Sequence, residues 1–65
     1  MTQAELLKFI LSKGYRSHDE VIGHFDSIDI EVVEARLMGL VEKKEIGKAA
    51  YKYEGGFGYI YWVLK

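Results

Sequence analysis

The chain has 65 residues, which is a single domain near the lower size limit for a core that holds without staples. It contains no cysteine, so disulfide frameworks and thiolate zinc sites are excluded, and its two histidines are too few for a structural metal. Nine basic and ten acidic side chains give a formal charge of -1, so the composition is not that of a strongly basic nucleic-acid binder. A hydrophobic fraction of 49% with 29% charged residues suits a globular domain rather than a disordered one.

No apolar run approaches the ~20 residues of a membrane span, and the first fifteen residues have neither the basic start nor the cleavage site of a signal peptide. A cytoplasmic address, or a nuclear one in a eukaryote, is expected, with no membrane partner. Thr2 and Glu5 have capping-box spacing, and Leu6, Leu7, Ile10 and Leu11 follow on one helical stripe with Phe9 at its margin. Lys13 suits a helix C-terminus and Gly14 a left-handed cap, which predicts a first helix over about 3–13. Tyr15-Arg16 reads as a very short strand.

Ser17 and Glu20 repeat the capping-box spacing, and Val21, Ile22 and Phe25 give an apolar face, predicting a second helix over about 18–25. Asp29 or Ser27 caps a third helix over about 29–45, with Ile30, Val33, Leu37, Leu40 and Val41 on its buried stripe. Ile46-Gly47 marks the change to extended structure, and from Lys48 the period becomes two. Tyr51 and Tyr53, a Gly-rich EGGFG turn, and then Tyr59, Tyr61 and Val63 alternating with Ile60, Trp62 and Leu64 predict a hairpin over about 47–64. Ile60, Trp62 and Leu64 are the expected docking face, with Trp62 and Leu37 in the core.

Catalysis finds little support in the residues. His18 and His24 are six apart and read as solvated surface side chains, the serines at helix ends are explained by capping, and no helix follows GGFG to make a phosphate loop. No enzyme activity, metal or cofactor is expected. Residues 28–47 carry a net -2 and residues 48–65 a net +2, so the hairpin is the basic part.

Three helices and a C-terminal hairpin, carried by SHDEVIGHF, SIDIEVVEARLMGLVEKKEIGK and YIYWVL, resemble the winged helix-turn-helix superfamily. Val33, Leu37, Leu40 and Ile46 match its buried positions. Among small stand-alone members the chain is similar to the winged-helix protein of bacterial ferrous-iron transport operons, though that family's wing cysteines are absent here. The resemblance implies an α+β fold over residues 1–65, a three-helix winged helix-turn-helix with a β-hairpin wing. It also implies a DNA-binding transcriptional regulator, acting as a dimer because one small domain offers limited contact area.

In that reading the family's third helix enters the major groove, but its outer face here is Asp29, Ile30, Glu31, Glu34, Ala35 and Met38, which is adverse to phosphate. Nucleic-acid contacts are therefore expected from Arg16, Lys48, Lys52, Tyr53 and Phe57. The alternative is a protein-interaction adaptor that uses Ile30, Glu31, Glu34, Met38, Tyr59 and Tyr61 as its interface.

Overall fold

A computed structural model of the chain describes residues 1–64. Lys65, counted above in the charge of the hairpin, lies outside the described residues. The fold is α+β: three helices and a three-stranded antiparallel sheet, in the order α1 (Gln3–Lys13), β1 (Tyr15–Ser17), α2 (His18–His24), α3 (Ile30–Glu42), β2 (Ile46–Tyr53) and β3 (Gly56–Val63). Among the described residues no helix is long and apolar enough to cross a membrane.

The helix starts follow from their caps. At α1 the Glu5 N–H donates to Thr2 Oγ1 at 3.1 Å, and the Thr2 N–H donates to Glu5 Oε1 at 2.7 Å. Ser17 and Glu20 repeat this reciprocal box at α2, with 3.1 and 2.9 Å. Two otherwise orphaned backbone donors are satisfied at each helix. Helix α1 ends at Gly14, whose φ of +100° suits glycine and whose N–H reaches the carbonyls of Ile10 and Leu11.

Helix α3 starts at Asp29 without a side-chain cap bond and stops three residues earlier than the polar run predicts. The reason is Lys44, which takes a left-handed φ of +61°. Its N–H donates to the Val41 carbonyl, and the Glu45 N–H donates to the Leu40 carbonyl, both at 3.0 Å. These two bonds make a Schellman motif, so a lysine ends the helix where a glycine is the usual choice.

The sheet order is β1-β3-β2. Strand β1 pairs Tyr15 with Trp62, Arg16 with Tyr61 and Ser17 with Ile60, and β2 pairs Ile46 with Val63 through to Tyr53 with Gly56. The core is Leu6 and Ile10 of α1, Val21 of α2, Val33, Leu37 and Leu40 of α3, Ile46 of β2 and Tyr61 of β3. Phe9, Ile22, Phe25, Val41, Tyr59 and Val63 pack around it. The ends of both expected stripes are open, since Leu11 and Ile30 are exposed.

The docking face of β3 is the reverse of the one expected. Tyr59, Tyr61 and Val63 face the helices, whereas Ile60 and Trp62 are half-buried outside the core and Leu64 is exposed. Ile46 decides the phase. It is buried and pairs with Val63, and a period-two strand then turns residues 61 and 59 inward as well. Trp62 instead lies over Gly47, its cross-strand partner, where a Cβ would collide with the indole ring. Gly47 is therefore a site of close approach.

Candidate functional site: a cleft between the third helix and the hairpin

A cleft of about 420 Å³ opens between the start of α2, one face of α3 and the hairpin. Helix α2 contributes His18 and Asp19, and α3 contributes Glu34, Leu37, Met38 and Val41. The hairpin wall is aromatic, with Tyr51, Tyr53, Phe57, Tyr59 and Tyr61, together with Lys48. Much of this lining is open to solvent: Met38 is 55% exposed and Phe57 62%. Exposed apolar side chains gathered in one concave place mark a binding surface more than scattered ones do.

One wall is held by a hydrogen-bonded chain through His18. Its Nε2 lies 3.1 Å from Glu34 Oε2, and its Nδ1 lies 2.9 Å from the Tyr61 hydroxyl. A carboxylate oxygen only accepts, so Nε2 carries a proton and donates to Glu34, while Nδ1 shares a hydrogen bond with the Tyr61 hydroxyl. Burial, and then the nearby Glu34 carboxylate and Tyr59, push the Tyr61 hydroxyl up to about 12. Local structure explains the placement. Ser17 pairs with Ile60 at the end of β1 and caps α2, so the next residue, His18, starts the helix beside β3.

On the hairpin wall the Lys48 ammonium sits 4.3 Å from the centroid of the Tyr59 ring, a cation–π contact. Phe57 meets Tyr59 edge-on at 6.1 Å, and Tyr51 and Tyr53 lie 5.7 Å apart. The Tyr51 ring rests over Gly58, where a Cβ would approach it to 3.2 Å.

Two sets of sequence-predicted residues meet here. Lys48, Tyr53 and Phe57 line the cleft together with Glu34, Met38, Tyr59 and Tyr61. Tyr61, however, is only 3% exposed; it is a core residue that reaches the cleft with its edge and hydroxyl, not a surface contact as expected. Ile30 and Glu31, at the start of α3, are exposed but stand outside the cleft, as does Lys52 on β2.

Arg16 lies elsewhere and is occupied. It is 20% exposed, its guanidinium stacks 3.9 Å from the Phe9 ring centroid, and it donates to the Phe9 carbonyl and to Ser12 Oγ. Glu20 Oε2 also lies 3.5 Å from Arg16 and 3.2 Å from Lys13. The Ser17 backbone N–H, and then the Lys13 hydrogen bond, hold the Glu20 carboxyl below its ordinary 4.5.

Sequence reasoning missed His18, Asp19, Leu37, Val41 and Tyr51 as cleft residues. His18 is not simply solvated, because it bridges two elements, whereas His24 is exposed as expected and stacks on Phe9 at 3.9 Å. The partners of His18 are 43 and 16 positions away in the chain, so no local pattern signals them.

The electrostatics of the helical pair are one-sided. Residues 18–42 hold the carboxylates of Asp19, Glu20, Asp26, Asp29, Glu31, Glu34 and Glu42 against the single guanidinium of Arg36. All but Glu20 are exposed. Among the described residues, no lysine or arginine pairs with Asp19, Glu31 or Glu34. The chain matches no protein-family model, no curated protein and no solved structure.

Proposed function

We propose that this chain is a winged-helix interaction domain that binds a protein partner through the cleft between α3 and the hairpin, and that it is not an enzyme. The element order is compatible with a winged-helix layout: α2 and α3 stand as the helix-turn-helix pair and β2–β3 as the wing. The observation that carries the protein-binding reading is the excess of carboxylates on α2 and α3. Phosphate attraction supplies most non-specific DNA affinity, and here the groove-reading helix α3 would bring Glu31, Glu34 and Glu42 against Arg36 alone to a polyanion. Open apolar side chains such as Met38 and Phe57, rimmed by charge, suit the centre of a protein interface.

The second reading, a DNA-binding regulator, is favoured by the hairpin alone. Lys48 and Lys52 lie two positions either side of Ala50, with Tyr53 and Phe57 exposed near the turn. Titration against random-sequence duplex DNA at low and physiological salt separates the two, with the mass in solution recorded first. No salt-dependent binding is expected. Binding that weakens in Lys48→Glu with Lys52→Glu, with a salt slope reduced by about 2, would establish the DNA reading in its place.

A further inference from the structure

The two walls of the cleft differ in chemistry. The α2–α3 wall presents the carboxylates of Asp19 and Glu34 beside the apolar Met38. The opposite wall is aromatic, and one of its rings already holds an ammonium, that of Lys48 over Tyr59 at 4.3 Å. Any partner seated over the cleft withdraws Asp19 and Glu34 from water. No lysine or arginine among the described residues neutralises either one. Among the described residues Glu34 keeps only its bond to His18, at 3.1 Å, and Asp19 has no ion-pair partner, so covering the two carboxylates is unfavourable unless the occupant brings a cation. A cation entering between the walls meets the carboxylates on one side, away from Lys48, and aromatic side chains on the other. An acidic segment would instead meet the whole carboxylate-rich surface of α2 and α3.

We infer that the cleft takes a basic amphipathic segment of the partner protein, seating an apolar side chain between Met38 and the hairpin rings and an arginine or lysine against Glu34 and Asp19. This rests on the protein-binding reading above and specifies the chemistry of the partner.

The test uses the whole chain and a synthetic peptide with leucines and arginines at helical spacing, followed by backbone-amide NMR. Two control peptides replace the arginines by glutamates or the leucines by serines, and random-sequence duplex DNA is run in parallel. Binding of the leucine–arginine peptide alone is expected, with shifts confined to the start of α2, α3 and the hairpin. Affinity should fall about tenfold or more in Glu34→Lys, which reverses one charge at the cleft. Glu34 also bonds His18, so Phe57→Ala is the second variant; it touches no ion pair and should weaken binding as well. The same spectra report whether each variant is folded.

Equal or tighter binding of the leucine–glutamate peptide would overturn the basic partner and leave the protein-binding reading standing. Equal binding of the serine–arginine peptide would reduce the attraction to bulk charge and remove the cleft from it. Binding of DNA with no binding of any peptide would overturn both readings.

Discussion

Tyr61 belongs to the core and to the cleft at once. Its ring is buried among the apolar side chains of three helices, and its hydroxyl is hydrogen-bonded to His18 Nδ1 at 2.9 Å. That bond fixes the imidazole, which in turn holds Glu34 at the rim. Tyr61→Phe keeps the packing and removes the hydrogen bond, so a loss of about 1 kcal/mol is expected in chemical denaturation. The pH dependence gives a sharper readout. The hydroxyl has an ordinary value of 10.0 and stands at about 12 in the fold. Between these values the folded chain retains a proton that the unfolded chain has lost. The stability from this group is therefore complete below pH 10 and drains away as the pH rises through about 12. Wild type should lose more stability than Tyr61→Phe across that window, and one late tyrosine in the ultraviolet absorbance titration should vanish in the variant. A late phase that survives the substitution would assign it to another tyrosine.

At the scale of elements, the helices follow from short-range chemistry. Thr2 with Glu5 and Ser17 with Glu20 are three residues apart, so both capping boxes are legible as written, and both form. The hairpin was legible as a hairpin but not in phase. Alternation leaves two equivalent faces, and the choice between them depends on Ile46 being buried opposite Val63. The cleft was legible in pieces, because Glu34, Met38, Phe57 and Tyr59 draw attention by type. Their convergence depends on β1 pairing with β3 and on the packing of α3 against β2, contacts between distant parts of the chain. The end of α3 is not legible in the sequence, because lysine is a poor residue for a left-handed position. The two Schellman bonds at Lys44 and Glu45 hold it there regardless. Lys44→Gly removes the steric penalty while keeping those backbone bonds. It should stabilise the domain by about 1 kcal/mol, seen as a rise of about 4–8 °C in Tm. Because Lys44 is outside the cleft, peptide affinity should stay unchanged.

For the molecule as a whole, Glu20 is the point where α1, β1 and α2 are tied together. Its carboxylate accepts from the Ser17 N–H at 2.9 Å and lies 3.2 Å from Lys13 and 3.5 Å from Arg16. These contacts keep β1 in place, and β1 carries His18 to the cleft wall. The Ser17 N–H, and then Lys13, hold the carboxyl below its ordinary 4.5, so the fold prefers the charged form. The resulting stability is fully present above pH 4.5 and is lost as the pH falls through the lower folded value. Glu20→Gln separates charge from hydrogen bonding, since glutamine can still accept from Ser17 in a capping box but cannot pair with Lys13 or Arg16. At neutral pH the variant should be less stable than wild type, and added salt should narrow the difference because both cations sit near the surface. On acidification the two stability curves should converge, because protonated Glu20 carries no more charge than glutamine. All other titrating groups are shared by the two proteins, so the difference between their denaturation midpoints isolates this carboxylate. A gap that persists undiminished through the acid limb would mean that Glu20 acts through its shape and hydrogen bonds alone.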